Sequence, residues 1–294
     1  MPDDETALLS PDDGKTARSS EERKPISRRQ FLLRNAVAAG TALLGEGVLA
    51  EGEPRVTRHR ILVAGLREPI RLVQLSDLHR SWCVSEGYLR RVVAQANALN
   101  PDAALLTGDF VTSSSSYMGS CGELLKTLRA PLGSFAVLGN HDYGCDRRRG
   151  GPAISEALEA IGVHVLTNRS LRLDNHLNIV GVDDCWLGRP DPELAFSRVH
   201  TDEPSLIMTH NPLVFSRLGG YNSLTVSGHT HGGQINVPVL TRQFMLPKFK
   251  YLRGWYHAAD GPGRLYVSRG IGVVGIPIRL RCDPEICLFE LTPA

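Results

Sequence analysis

The chain has 294 residues and a formal net charge of +2, with 42% hydrophobic and 22% charged residues. This length can bury a large core, and it suits one large domain with a tail or two small domains. The near-neutral charge gives no electrostatic case for a nucleic-acid surface, which usually needs a strongly basic domain or stripe. Six scattered cysteines without a CxxC pair do not support a zinc ribbon or a thioredoxin-like site. Individual disulfides stay open at this point, including one between Cys282 and Cys287.

The first 50 residues predict a tail and an export signal. Residues 1–27 are rich in Asp, Glu, Lys, Ser and Pro, which predicts a disordered tail. Arg28-Arg29 then precede a weakly hydrophobic stretch that ends in the small-residue segment Val48-Leu49-Ala50. This pattern resembles a twin-arginine export signal, and its apolar part is shorter than the about 20 residues that a bilayer span needs. A short amphipathic helix of a cytosolic protein is the alternative.

If the signal is genuine, the twin-arginine translocase exports the chain to the periplasm or cell envelope. The mature chain then begins near Glu51. That route passes folded proteins, so it would suit an enzyme that acquires its metals before export.

From Arg60 onward, strand-like and helix-like patterns alternate. Apolar spacing predicts a strand at 71–76, a helix at 86–99 and a buried strand at 103–107, which together make a βαβ unit. The elements predicted after it are helices at 122–128 and 154–161, strands at 134–138 and 163–166, a hairpin of 171–173 with 177–182, and strands at 206–209, 224–227, 265–268 and 286–291. The pattern predicts a mixed α/β fold with a large sheet system, and one domain over residues 51–294.

Polar motifs follow several of the predicted strands. The two histidines of Gly228-His229-Thr230-His231-Gly232 lie one residue apart, so they point to the same side of an extended backbone, and the glycines allow close approach. The motifs upstream are Asp77-Leu78-His79, Gly108-Asp109, Gly139-Asn140-His141-Asp142 and Thr209-His210-Asn211. In α/β folds, loops at the carboxyl ends of strands build the site. Taken singly, each motif could instead be a loop cap, a turn or a surface histidine.

Together the motifs offer only nitrogen and oxygen ligands. The candidate ligands are Asp77, His79, Asp109, Asn140, His210, His229 and His231. Without thiolates, this set favours Mn, Fe or Zn over a structural zinc or an iron–sulfur cluster. It exceeds what one ion needs, whereas two ions that share a carboxylate accommodate it. A pair of ions about 3.5–4 Å apart is the usual arrangement for phosphoryl displacement.

The order D-x-H, G-D, G-N-H-D, H, G-H-x-H over residues 71–234 resembles the calcineurin-like metallophosphoesterases. The stretch Ser268-Arg269-Gly270-Ile271-Gly272, the stretch Pro284-Glu285-Ile286 and the twin-arginine start resemble the exported bacterial branch of that family, with its phosphodiesterases. The resemblance implies an α/β fold, a four-layer αββα sandwich of two mixed β-sheets flanked by helices. Every ligand position of the family pattern is matched.

The resemblance also implies a role for each residue. It places Asp77, His79 and His231 on one metal, Asn140, His210 and His229 on the other, and Asp109 on both. A water bridging the two cations then loses a proton and attacks phosphorus opposite the leaving oxygen. His141 is the implied acid for the leaving group, and Asp142 is expected to orient its imidazole.

Two further stretches suggest a substrate. Arg147, Arg148 and Arg149 follow the Asn140 motif closely, so they could bind an anionic substrate, although a solvated loop explains them too. Residues 244–251 mix apolar and basic side chains, which suits a lipid phosphate, a membrane or cell-wall surface, or ordinary packing around prolines.

The expected function is hydrolysis of a phosphomonoester, phosphodiester or pyrophosphate bond. A UDP-diacylglucosamine-type lipid pyrophosphatase is the alternative substrate class. The rival from another class is a non-catalytic metal-binding module of the envelope. The presence of both His141 and Asp109 argues against that rival, because a scaffold needs neither.

Overall fold

A computed structural model describes residues 47–49, 51–174, 176–200, 202–237 and 250–294 of the chain. Of the predicted tail and export signal, only residues 47–49 are described, and residues 244–249 of the apolar and basic stretch also lie outside these ranges. Among the described residues, no helix combines the length and the apolar character that a membrane crossing requires.

Strands and helices alternate along the chain. The strands are β1 (Gly47–Leu49), β2 (Arg55–Val63), β3 (Ile70–Leu75), β4 (Ala103–Leu106), β5 (Ser134–Ala136), β6 (Val163–Val165), β7 (Arg169–Arg172), β8 (Asn178–Gly181), β9 (Ser205–Met208), β10 (Ser223–Ser227), β11 (Gly254–His257), β12 (Arg264–Val267), β13 (Ile278–Leu280) and β14 (Glu285–Pro293). The helices are α1 (Glu86–Ala98), α2 (Met118–Leu125), α3 (Asn140–Arg148), α4 (Gly150–Ala160) and α5 (Pro192–Phe196), with 3₁₀ turns at Ser115–Tyr117, Pro212–Arg217 and His231–Gly233.

The strands form two six-stranded mixed sheets. The first has the order β2-β14-β3-β4-β5-β6, in which β3 to β6 are parallel and β14 runs antiparallel to β3. The second has the order β11-β12-β10-β9-β8-β7, with four parallel central strands and an antiparallel strand at each edge. Strands β1 and β13 make a separate antiparallel pair.

Alternation along the strands divides the core into layers, because successive side chains face opposite sides of a sheet. In β3, Val73 packs with the helices α1, α2 and α4, while Leu72 packs between the two sheets. In β9, Leu206 also lies between the sheets, but Ile207 packs on the far face of the second sheet with residues of α5. The predicted four-layer αββα sandwich is therefore confirmed.

Some elements differ from the sequence prediction. Strand β2 was not predicted because Arg55, Arg58 and Arg60 interrupt its apolar pattern. It is an edge strand, where charged side chains are tolerated and prevent pairing with other chains. Helix α2 begins at Met118, four residues earlier than predicted, since its buried stripe starts with Met118.

The six cysteines are all unpaired. Cys282 and Cys287 are both buried, and no disulfide joins them. The spacing of Cys282 and Cys287 had left a disulfide between them open, and the structure shows none.

Strand β14 supports the first sheet because it pairs with both β2 and β3. Leu288 on this strand is fully buried, whereas Leu62 on β2 is 68% exposed. We expect Leu288→Ala to lower the free energy of unfolding by about 2–5 kcal/mol, through lost burial and a cavity. The control Leu62→Ala should change it by less than about 0.5 kcal/mol. Denaturant unfolding measures both values, and equal losses would contradict this packing.

Candidate metal centre

All of the predicted ligands follow carboxyl ends of strands, and both sheets contribute. Asp77 and His79 follow β3, Asp109 follows β4, and Asn140 begins α3 after β5; His210 follows β9, and His229 and His231 follow β10. Five of them have left-handed φ angles of 48–72°: Asp77, His79, Asp109, His229 and His231. Such angles are uncommon for residues other than glycine, and strained backbone of this kind clusters at functional sites.

Asp77, His79 and His231 form one cluster of inward-facing donors. His79 Nε2 lies 3.1 Å from His231 Nε2, and His231 Nε2 lies 3.5 Å from Asp77 Oδ1. All three side chains are buried. Their donor atoms lie within 4.8 Å of one another, which is close enough to share one ion.

Asn140, His210 and His229 form a second cluster. His210 Nε2 lies 3.1 Å from Asn140 Oδ1 and 3.2 Å from His229 Nδ1. Asp109 stands between the two clusters, since its Oδ2 is 3.4 Å from His79 Nε2 and 3.2 Å from His210 Nε2. One carboxylate oxygen thus reaches a donor of each cluster.

Hydrogen bonds on the outer side fix the imidazoles. His210 Nδ1 donates to the Thr107 carbonyl at 2.8 Å, so its N–H is on the outer nitrogen and Nε2 can present a lone pair inward. His79 Nδ1 lies 3.2 Å from Thr112 Oγ1 on the outer side of the other cluster. Outer partners of this kind are the usual support of metal-ligating histidines.

The charges of the site also favour cations. Asp77 and Asp109 are buried, and among the described residues neither forms an ion pair with a lysine or arginine. Burial by itself raises the pKa of Asp109, but His210 and His79 hold that pKa well below its usual range. Burial alone would lower the pKa of His210, but the charge of Asp109 raises it to about 10. Buried carboxylates facing imidazole nitrogens fit a pair of divalent cations.

His141 lies next to this centre. Its ring is 4.9 Å from that of His79, and its backbone N–H donates to Asp109 Oδ1 at 2.8 Å. Its Nδ1 donates to the Thr112 carbonyl at 2.8 Å, which leaves Nε2 as the nitrogen available to a substrate.

The role expected for Asp142 was wrong. Its fully buried carboxylate accepts hydrogen bonds from the backbone N–H groups of Gly139, Asp109 and Phe110 at 2.8–2.9 Å, and the Thr112 carbonyl orients His141 in its place. Asp142 caps the amino end of α3 and ties the loop after β4 to the loop after β5. Burial, reinforced by Asp109, raises the pKa of Asp142 to about 7.

Glycines allow the loops to approach closely. Gly108 has φ of +85°, and a Cβ there would lie 2.6 Å from Gly139 N and 2.9 Å from His210 Nδ1. A Cβ on Gly228 would collide with Ser76 and Asp77. The glycines of the motifs therefore serve the packing of the ligand loops.

Sequence reasoning missed Arg279, which lies on β13 and is fully buried. Its guanidinium donates to the Arg269 carbonyl at 2.9 Å and lies 3.4 Å from His231 Nδ1. It also missed Thr112, which contacts both His79 and His141. No signal in the sequence links either residue to the motifs, because the fold alone brings them together.

The predicted substrate-binding arginines lie at the end of α3. Arg147, Arg148 and Arg149 are exposed, and their guanidinium groups make no hydrogen bond or ion pair with any residue that the structure describes. Of the apolar and basic stretch, Tyr251 is buried against Phe215, so this residue belongs to the core.

We expect Asp142→Ala to lower the free energy of unfolding by about 3 kcal/mol, because it leaves three buried backbone donors without an acceptor. The displaced loops should also bind less metal. Asp146→Ala is the control, since Asp146 follows Asp142 in the same segment but is exposed, and its carboxylate accepts from Ser115 N at 3.1 Å. Denaturant unfolding and elemental analysis test both variants. Equal effects would contradict the role given to Asp142.

Comparisons with known proteins show the family of this chain. The model of the calcineurin-like phosphoesterase family matches residues 70–233. The chain is 34% identical over 286 residues to the metallophosphoesterase YkuE of Bacillus subtilis (strain 168), covering 91% of this chain and 98% of the relative.

Two further relatives carry more specific names. The chain is 31% identical over 278 residues to the phosphodiesterase YaeI of Escherichia coli (strain K12), covering 90% of this chain and 99% of the relative. It is 29% identical over 274 residues to the UDP-2,3-diacylglucosamine pyrophosphatase LpxG of Chlamydia trachomatis, covering 75% of this chain and 83% of the relative. The predicted phosphoester hydrolase is thereby confirmed, and the chain belongs to the calcineurin-like phosphoesterase family.

Proposed function

We propose that the chain hydrolyses a phosphodiester bond with two divalent cations held at the candidate centre. The observation that carries this proposal is the position of Asp109, whose Oδ2 lies within 3.4 Å of His79 Nε2 and 3.2 Å of His210 Nε2. A single oxygen between two sets of donors suits a carboxylate shared by two ions.

The ligands divide between two positions. Asp77, His79 and His231 would hold one cation, and Asn140, His210 and His229 would hold the other. Asp109 would be shared between the two sets. The nitrogen and oxygen donors favour Mn, Fe or Zn. When bound, the cations supply a nucleophile from water and neutralise charge on the phosphoryl group.

His141 donates a proton to the leaving oxygen. Its Nδ1 is committed to the Thr112 carbonyl, so Nε2 carries the proton that is transferred. Asp109 accepts from the His141 backbone N–H, which fixes this imidazole relative to the ligands. Asp142 supports the same loop, because its carboxylate accepts a hydrogen bond from the Gly139 backbone N–H.

The relatives support a diester and leave a second candidate. YaeI is named a phosphodiesterase, whereas LpxG is named a UDP-2,3-diacylglucosamine pyrophosphatase. A lipid-linked pyrophosphate is therefore the alternative substrate. The exposed guanidinium groups of Arg147, Arg148 and Arg149 suit the extra negative charge of such a substrate.

We also propose that the chain works in the periplasm or cell envelope after twin-arginine export. The support is Arg28-Arg29 before an apolar stretch and the small residues that end at Ala50. Association with the membrane or cell wall belongs to this proposal.

Asp109→Asn should abolish turnover and reduce bound metal, because the amide removes the shared negative charge. His141→Ala should keep both ions and slow hydrolysis roughly 10²–10⁴-fold for diesters with poor alkyl leaving groups. The loss should be smaller for bis-p-nitrophenyl phosphate, whose activated leaving group needs little protonation. Elemental analysis and steady-state kinetics measure both effects.

The control for His141 is His164→Ala, since His164 is exposed and stacks on Phe135 away from the ligands. Loss of metal in His141→Ala, or an equal loss for both kinds of leaving group, would contradict the acid role. A comparison of bis-p-nitrophenyl phosphate, p-nitrophenyl phosphate and UDP-diacylglucosamine separates the substrate classes. Activity on the last compound alone would replace the diester proposal with the lipid alternative.

A reporter fused after Ala50 tests export. We expect an exported reporter with the native sequence and cytoplasmic retention when Arg28 and Arg29 become Lys, because the translocase recognises the arginine pair. A reporter that stays in the cytoplasm with either sequence would contradict the export proposal.

A further inference from the structure

An exposed tryptophan contacts a candidate metal ligand. The Trp186 ring packs edge-on against the His229 imidazole, with the ring centroids 4.3 Å apart and the planes at 88°. Even so, 55% of Trp186 is exposed. Part of this large apolar surface is thus left uncovered at the rim of the centre.

Two buried carboxylates hold the loop that carries Trp186. Asp184 accepts hydrogen bonds from the backbone N–H groups of Trp186 at 2.7 Å and Leu187 at 2.8 Å. Asp183 accepts from the Arg189 N–H at 2.8 Å and from the Tyr143 hydroxyl at 2.6 Å. The indole is therefore preorganised, and a ligand that packs on it need not order the loop first.

The apolar rim continues toward the helix that carries His141. Leu187 is 37% exposed, and a Cβ added at Gly144 on α3 would lie 3.3 Å from its Cδ1. Trp186 and Leu187 thus extend from a ligand of the second cluster to the helix of the proposed acid. Exposed apolar side chains that are contiguous and rimmed by polar groups, unlike scattered ones, mark binding sites.

We propose that Trp186, flanked by Leu187, is a specificity-determining platform on which a planar aromatic group of the substrate packs while its phosphoryl group is at the cations. This inference rests on the proposed function. Flat rings bind aromatic groups by stacking without requiring particular hydrogen bonds. The platform therefore selects phosphoesters with a planar ring close to phosphorus over those with a small alkyl group.

Binding of non-hydrolysable phosphonates tests the platform without turnover. Calorimetry on protein loaded with Mn²⁺ compares phenylphosphonate with methylphosphonate. We expect the native protein to prefer the phenyl compound by roughly three- to tenfold, as one aromatic contact provides. In Trp186→Ala the preference should fall to about one, while the affinity for methylphosphonate stays within about twofold. Trp186→Leu keeps apolar bulk without a ring, and it should also lose most of the preference.

Trp82→Ala is the matched control, because Trp82 is also exposed, at 78%, and has no ring contact with a candidate ligand among the described residues. The Trp82→Ala variant should prefer phenylphosphonate over methylphosphonate as strongly as the native protein does. Unchanged preference in Trp186→Ala and Trp186→Leu, each with native metal content, would overturn the platform, as would the same loss in Trp82→Ala.

The two proposals fail separately. If the native protein loaded with Mn²⁺ hydrolyses no diester but the phenyl preference depends on Trp186, the proposed function is wrong and the platform stands. If it hydrolyses diesters but Trp186→Ala keeps the preference, the platform is wrong and the proposed function stands.

Discussion

The candidate centre depends on the buried negative charge of Asp109, which has to be compensated by neighbouring groups. Asp109 is buried, with its side chain 2% exposed, and its carboxylate lies among imidazoles from two sheets, without a lysine or arginine partner in the described part of the chain. A buried charge of this kind is costly unless it is paired. His210 and His79 offset it in the structure, and divalent cations between the same atoms would offset it more completely. This arrangement of buried charge and imidazole nitrogens is suited to binding cations. Without cations, burying the Asp109 charge would be energetically unfavourable.

The surrounding backbone serves this arrangement. Residues with left-handed φ angles turn the loops after β3, β4 and β10 inward, and such conformations persist only where neighbouring structure fixes them. Asp142 provides part of that support by joining two loops through backbone N–H groups. Thr112 gives further support, because its hydroxyl contacts His79 Nδ1 and its carbonyl accepts from His141 Nδ1. The ligands are therefore placed by backbone contacts as much as by their own side chains.

Local patterns in the sequence predicted a mixed α/β fold, and the order of the polar motifs predicted the family, and with it the four-layer sandwich, by resemblance. Apolar runs that end in polar motifs mark parallel strands, and the carboxyl ends of parallel strands converge. Asp142 was misassigned because adjacency to His141 suggested a partner, whereas capping geometry turns its carboxylate back to the backbone. Arg279 and Trp186 could not be predicted, since their contacts with His231 and His229 depend on how distant loops pack.

The most direct test of the central claim is anomalous diffraction from crystals of the native protein, collected at the Mn, Fe and Zn absorption edges. The account predicts two anomalous peaks, one on each side of Asp109 Oδ2. One peak should lie among Asp77, His79 and His231, and the other among Asn140, His210 and His229. A single peak, no peak, or peaks remote from Asp109 would contradict it.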